Sequence, residues 1–210
     1  MSRPVVVTAG ATRNPIDAIR YLSAHATGTT GVQLAARLAA TFPVRLLGSA
    51  EACLRARLGA PQVPTVEYLG TRDLMAKMED ELRARPGGIL VHSAAVGDYE
   101  AVPQPTKIPS GQAELVLRFT PGPKIIDHVR RWDPELLLVS FKAGSPDWSE
   151  DRLEAVARAQ LERTRSDLVF ANRIGALGTS CMLLSPTGTT RYAAREDCLD
   201  ALVVRLQTLA

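Results

Sequence analysis

Three stretches of the chain are apolar at every position: Val5–Val7, Ile89–Val91 and Leu168–Ala171. Two more, Val44–Leu47 and Leu136–Phe141, admit a single polar residue each. A strand with one wet face alternates apolar and polar residues, so runs like these are strands covered on both sides. That condition is met in a mainly parallel sheet sandwiched between helices. The segments between the runs have helical spacing. Val32, Leu34, Ala35, Leu38 and Ala39 lie on one face of a helix that stops before Pro43. Glu51–Leu58 predicts a short helix ended by Gly59-Ala60-Pro61, and Leu74, Met75, Met78 and Leu82 mark one closed by Pro86-Gly87-Gly88. Pro123–Trp132, with Pro in its first turn, and Glu150–Arg165 are further helices, and Leu199, Leu202, Val203, Leu206 and Leu209 share a face of the last.

Val63–Tyr68 is strand-like although it contains Pro64, and Cys181–Leu184 and Thr190–Ala193 are short strands around the turn Ser185-Pro186-Thr187-Gly188. No internal repeat or interdomain linker interrupts this order. The expectation is one Rossmann-like α/β domain over residues 1–210, with helices on both faces of the sheet. Residues 97–124 break the pattern. They are rich in Pro and contain one alternating run, Glu114–Phe119, that reads as a strand inside a long loop or flap.

Composition narrows the function classes. Twenty-five Lys and Arg against 22 Asp and Glu give a net charge of +3, too weak and scattered for a duplex nucleic-acid surface. No apolar run approaches the ~20 residues that span a bilayer. MSRPVVV passes directly into a strand-like run without the apolar core of a signal peptide. Cys53, Cys181 and Cys198 are far apart and lack metal-ligand spacing, which reads as small core residues in a reducing compartment. The expected location is the cytoplasm.

Ligands of open parallel sheets bind at the carboxyl ends of the strands. That rule gathers Thr8–Gly31, Ser93–Lys107, Pro121–Lys124 and Phe141–Gly144. Only four of the 25 basic residues are Lys, and three of them, Lys107, Lys124 and Lys142, fall in these segments; Lys77 reads as a solvated charge on a helix. Thr27-Gly28-Thr29-Thr30-Gly31 before a helix either offers backbone N–H groups to a phosphate or simply makes a tight turn. It has neither the Lys-Ser/Thr ending of a P-loop nor the immediate glycine fingerprint of a dinucleotide fold. Asp98 is placed to accept from a base or sugar, or to cap a turn. His92 reads as a strand-end packing residue, and His25 and His128 have no evident acidic or nucleophilic partner.

In this order the segments resemble the phosphopantothenoylcysteine synthetase family. TAGATRNPIDAIRYLSAHATGTTG, residues 8–31, is similar to the family's opening block, and SAAVGDY (93–99), Lys107-Ile108, Gly122-Pro123-Lys124-Ile125, SFKAG (140–144) and Asp167–Asn172 follow as its later motifs. The likeness extends over almost the whole chain. It implies a ligase of coenzyme A biosynthesis that joins 4′-phosphopantothenate to cysteine, using CTP or ATP with Mg²⁺, through an acyl-nucleotide intermediate. It also implies a homodimer, in which the 97–124 flap reaches the other subunit's site.

By the same resemblance Lys107 contacts the triphosphate and Arg20 helps bind the acyl substrate. Ser93, Ala94 and Asp98 hold the nucleotide, while Gly122, Pro123, Lys124 and Ile125 form a second wall. Phe141 packs on the nucleotide, and Gly28 to Gly31 supply backbone donors. The chain also departs from the family. Ala24 stands where the family has an Asn that assists conversion of the acyl-nucleotide. Pro109-Ser110 replace the end of a K-I-K-K motif, and Gln160 and Thr164 replace two lysines that approach the phosphates. Arg163 and Arg165 lie near those positions, and Lys142 replaces a small residue beside the pocket. Three readings follow: the ligase, a divergent nucleotide-binding member without this activity or acting on another carboxylate, and an NAD(P)-dependent oxidoreductase. The last is disfavoured because no Tyr has a Lys four residues on.

Overall fold

Eight strands form the main sheet of the computed structural model, which describes residues 2–59, 61–175 and 181–210. In chain order the first half comprises β1 (Val5–Ala9), β2 (Arg13–Pro15), β3 (Tyr21–Ser23), α1 (Thr29–Leu38), β4 (Val44–Gly48), α2 (Ala50–Leu58), β5 (Thr65–Glu67), α3 (Thr71–Ala84) and β6 (Ile89–His92). The second half comprises β7 (Tyr99–Ala101), β8 (Phe119–Pro121), a 3₁₀ turn (Ile125–Asp127), α4 (Val129–Trp132), β9 (Leu137–Gly144), α5 (Glu150–Thr164), β10 (Leu168–Arg173), β11 (Cys181–Ser185), β12 (Gly188–Tyr192) and α6 (Arg195–Leu209).

The sheet order is β12-β11-β10-β9-β6-β1-β4-β5. Strands β5 to β10 in this row are mutually parallel, and β11 and β12 add an antiparallel edge. The chain starts in the middle at β1, winds out through β4 and β5, then returns to the other side of β1 at β6. That reversal between β1 and β6 is the crevice where such sheets bind ligands.

Alternate residues of each strand feed opposite faces. Val5, Val7, Ile89, Val91, Val139 and Phe170 pack with Leu34 and Leu38 of α1 and Leu199, Leu202 and Leu206 of α6. Val6, Leu90 and Leu138 point the other way, against Leu74, Met78 and Leu82 of α3 and Val129 of α4. Leu153, Ala157 and Leu161 of α5 cover Val169, Ala171, Met182 and Leu184. Both faces are thus covered, the arrangement expected from apolar runs without alternation. Ser149 starts α5 by accepting from the Arg152 N–H at 3.2 Å, and the acidic Glu150 and Asp151 follow in its first turn. All three cysteines are buried and free. Among the described residues no helix is long and apolar enough to cross a membrane.

The predicted strand Glu114–Phe119 is corrected. Residues 114–118 form no strand, are unpaired and are mostly exposed; only Phe119 joins a ladder, opposite Ala101 in the short β7–β8 hairpin. Alternation makes a strand only where a neighbour supplies hydrogen bonds, and β7 is three residues long. The Val63–Tyr68 run shortens to Thr65–Glu67 behind Pro64. A second hairpin, β2–β3, folds residues 13–23 of the long opening segment. Lys77 is not merely solvated: its Nζ donates to the Glu67 carbonyl at 2.7 Å and pairs with Asp73. Ala60, in the predicted stop of α2, lies outside the described residues.

Candidate functional site

At the reversal point three neighbouring strands end on polar residues in one register, Thr8 opposite His92 and His92 opposite Ser140. All three are buried. They lie on the face that α3 and α4 cover, one step above Val6, Leu90 and Leu138. The Thr8 hydroxyl accepts the Ala94 N–H at 3.1 Å and sits 2.9 Å from His92 Nδ1. Ser140 Oγ accepts from the Gln160 side-chain amide at 3.0 Å and from Ser166 Oγ at 2.9 Å. Burial holds His92 down to about 4, so its imidazole is neutral near pH 7.

A cavity of about 300 Å³ opens beside His92. Seven sequence-predicted residues line it: Ala94, Asp98, Pro123, Lys124, Ile125, Phe141 and Lys142. They come from three segments of the chain, and the β6–β9 pairing is what brings the first and last together. His92, Val96, Ile126, Ala143, Gln160 and Arg163 complete the lining. Phe141 stacks on the buried Phe170, ring centroids 4.9 Å apart and planes 21° from parallel. Lys124 and Arg163 are exposed, and Lys142 Nζ lies 6.0 Å from the centroid of the Trp148 ring. Arg163 pairs with Asp127. The lining thus combines apolar side chains with three cations, Lys124, Lys142 and Arg163, and one exposed carboxylate, Asp98.

The other six predicted residues do not line this cavity. Ser93 follows His92 on the strand path and turns to the opposite side, where its hydroxyl donates to the Thr8 carbonyl at 2.6 Å. Gly31 packs there too: a Cβ on it would come within 2.6 Å of both Ala9 Cβ and Ser93 Oγ. Gly28 caps α1 with φ 81°, and a Cβ would meet Ala52 Cβ at 2.7 Å. Both glycines are thus required by close packing, the tight-turn reading of that segment. Gly122 closes the loop by donating its N–H to the Asp98 carbonyl at 2.9 Å.

Arg20 and Lys107 form a separate group organised by Asp17, a residue to which the sequence assigned no role. The Asp17 side chain is fully covered and forms an ion pair with Arg20. It accepts backbone N–H groups from Ile19 at 2.9 Å, Arg20 at 2.7 Å and Ile108 at 3.0 Å. Arg20 Nη1 in turn donates to the Ile108 carbonyl at 3.3 Å. Lys107, the next residue, is exposed and has no ion pair among the described residues. Burial raises the Asp17 carboxyl, but the Ile108, Ile19 and Arg20 amides and the Arg20 guanidinium outweigh it and hold it at about 2. A charged carboxylate thus fixes the segment carrying Lys107 against the turn carrying Arg20.

Ala24 and His25 line a second cavity of about 190 Å³, with Ala11, Arg13, Tyr21, Ser23, Ser49 and Glu51 among its walls. The Arg13 guanidinium lies 5.0 Å from the Tyr21 ring centroid. Ala94 lines the first cavity and Ala11 the second, and the stretches are joined by Ala95 N–H to Gly10 O at 2.9 Å and Thr12 N–H to Ala95 O at 3.1 Å. Thr12 and Asn14, both buried, pin the 93–99 loop: Thr12 Oγ1 accepts the Gly97 N–H at 2.9 Å, and Asn14 Nδ2 donates to Tyr99 O at 3.1 Å. Their polar side chains in a predicted loop were the available signal. Gln160 and Thr164, at the positions of the family's phosphate lysines, face inward instead. The Gln160 amide is held by Ser140 and by Phe141 O at 3.1 Å, and buried Thr164 bonds Gln160 O and Ser166.

A doubly wound, mainly parallel sheet with a cavity at the carboxyl ends of the neighbouring strands β6 and β9 defines a Rossmann-like α/β domain. Comparison with known proteins places it more closely. The family model described as DNA/pantothenate metabolism flavoprotein C-terminal domain matches residues 1–187, and the chain belongs to that family. The coenzyme A biosynthesis bifunctional protein CoaBC of Thermococcus kodakarensis is 38% identical over 178 residues, 83% of this chain and 42% of that protein. CoaBC of Escherichia coli is 29% identical over 179 residues, covering 81% of this chain and 41% of that protein. The chain thus spans less than half the length of these curated relatives. The crystal structure of the DNA/pantothenate metabolism flavoprotein from Streptococcus pneumoniae matches with a TM-score of 0.88 at 26% identity, over 100% of both chains. These matches bear out the family resemblance read from residues 8–31 and the motifs that follow.

Proposed function

We propose that the chain is a nucleotide-triphosphate-dependent ligase that joins 4′-phosphopantothenate to cysteine. The observation that carries this reading is the cavity at the carboxyl ends of β6 and β9, which gathers Ala94, Asp98, Pro123, Lys124, Ile125, Phe141 and Lys142 from separate segments. Coenzyme A biosynthesis in the names of the relatives supports the same chemistry.

A carboxylate is a poor electrophile. In the first step its oxygen attacks the α-phosphorus of CTP or ATP, the bond to the β-phosphate oxygen breaks, and pyrophosphate leaves. The cysteine amine then attacks the acyl carbon and displaces the nucleoside monophosphate. Both steps develop negative charge on oxygen, which aimed cations stabilise. On this reading Lys124, Lys142 and Arg163, which line the cavity, supply that charge in place of lysines at 160 and 164, with Arg163 exchanging its Asp127 partner for the ligand. Lys107, steadied by the Asp17 clamp, is the further catalytic cation, and Arg20 binds the acyl substrate beside it. Mg²⁺, which binds through one or two carboxylates and the substrate's phosphates, fits a lining whose carboxylate is Asp98; when bound it neutralises triphosphate charge.

The flap at residues 97–124 supports a homodimer. It exposes Tyr99, Val102, Leu115 and Val116, and a groove of about 190 Å³ runs past Ile16, Val102 and Val116. On this reading residues 1–210 work as one domain, in the cytoplasm, without nucleic-acid or membrane partners. Pyrophosphate release with Mg²⁺, 4′-phosphopantothenate and either CTP or ATP tests the proposal, and no release with either nucleotide would defeat it.

One observation favours a second reading. Ala24 lines the second cavity with a methyl group, leaving no side-chain donor at the position of the family Asn. Activation without efficient aminolysis, or use of another carboxylate, would then give one stoichiometric burst of pyrophosphate.

A further inference from the structure

His92 is the buried member of the cavity lining that neither the family motifs nor the composition assigned a role. Its hydrogen bonds determine what it presents to a ligand. The Thr8 hydroxyl already accepts the Ala94 N–H, and among the described residues its own proton has one acceptor in range, His92 Nδ1. Any other assignment leaves a buried hydroxyl proton without a partner. Nδ1 therefore accepts, and the proton of the neutral ring resides on Nε2. That tautomer is fixed by the strand register, since Thr8 and His92 are paired residues of β1 and β6. With Nδ1 taken by Thr8, Nε2–H is the donor that the ring offers to the cavity it lines.

The surroundings decide which part of a nucleotide meets it. Apart from the cations and the exposed Asp98, the lining that His92 shares is the apolar Ala94, Val96, Ile125, Ile126 and Phe141 and the Gln160 amide, whose nitrogen is already engaged by Ser140 and Phe141 O, and burying a phosphate there would leave its charge uncompensated. Lys124, Lys142 and Arg163 take the phosphates, so the base is the part that meets His92. We infer that His92 is a specificity-determining residue: its Nε2–H donates to the exocyclic carbonyl oxygen of the nucleotide base, selecting bases that carry one. This rests on the nucleotide reading of the cavity given above. Cytosine, uracil and guanine each carry such an oxygen and adenine does not. On this inference the site prefers CTP, UTP or GTP to ATP, whose base offers only ring nitrogens as acceptors.

The test is the dissociation constant of each of the four Mg²⁺-nucleotides for the full chain, by titration calorimetry. Wild type binds at least one carbonyl-bearing nucleotide about tenfold more tightly than ATP, the ~1.4 kcal/mol of one hydrogen bond. His92→Phe keeps an aromatic ring, loses the donor and narrows that gap, with ATP affinity little changed. His92→Gln, which restores an N–H donor, recovers part of it. Thr8→Val leaves the imidazole in place but frees its tautomer, and it also narrows the gap; this variant decides the matter if His92→Phe does not fold. A wild type that prefers ATP, or a ranking that His92→Phe and Thr8→Val leave unchanged, overturns the inference while the nucleotide site stands. A wild type that binds none of the four overturns the nucleotide reading, and the inference with it.

Discussion

Asp17 and Ile108 are 91 residues apart, yet one carboxylate oxygen of Asp17 accepts the Ile108 N–H at 3.0 Å while the same side chain pairs with Arg20. This joins the turn after β2 to the middle of the flap. Asp17→Asn keeps the shape but removes the charge that holds Arg20. A misplacement of this kind costs on the order of 10²-fold in turnover, measured as initial rate of pyrophosphate release.

The same carboxylate gives a pH signature. Its folded value of about 2 lies below the usual 3.8, so it binds its proton less readily folded than unfolded. The stability it contributes is fully present above the unfolded value and is lost as pH falls from about 4 through about 2. Melting curves of wild type and Asp17→Asn should differ at pH 6 and converge towards pH 2. A constant difference down to pH 2 would remove the clamp from the account.

Lys107→Ala should lower triphosphate-dependent turnover by roughly 10²–10³, the usual loss for one aimed donor to a developing oxyanion. Because Lys107 does not line the main cavity, nucleotide binding by calorimetry should survive the change. Unchanged turnover would sink the assignment.

Gly31→Ala tests packing rather than chemistry. Its Cβ would come within 2.6 Å of Ala9 Cβ and Ser93 Oγ and 2.9 Å of the Thr8 carbonyl, so β1 and the start of the 93–99 loop must shift. Overpacking of this kind costs about 1–3 kcal/mol, read from a denaturant midpoint.

The flap makes a prediction at the level of assembly. Light scattering at micromolar concentration should return the mass of a dimer. Val116→Asp, which places a charge on an exposed apolar position of the flap, should shift it towards monomer. Monomeric wild type would contradict a site shared between subunits.

Residues with a strong local signature were legible in the sequence. Val5–Val7 and Ile89–Val91 are apolar throughout because helices cover both their faces, so periodicity alone placed them in a parallel sheet. Glu114–Phe119 misled for the complementary reason: alternation describes a side chain's preference, and no partner strand runs beside residues 114–118. The strand-end rule found the cavity's walls but misplaced Ser93, because successive residues at a strand end face opposite ways and His92 takes the inward side. Asp17 and the Thr8–His92–Ser140 row stayed invisible. Their partners are 91 residues away in one case and set by the register of three strands in the other.

The central claim is that this chain makes an amide from 4′-phosphopantothenate and cysteine. Mass spectrometry of a reaction with Mg²⁺, CTP or ATP, 4′-phosphopantothenate and cysteine tests it most directly. The account predicts phosphopantothenoylcysteine, accumulating over many turnovers with one pyrophosphate released per product. Acyl-nucleotide at one equivalent per chain and no amide, or no reaction with either nucleotide, would contradict it.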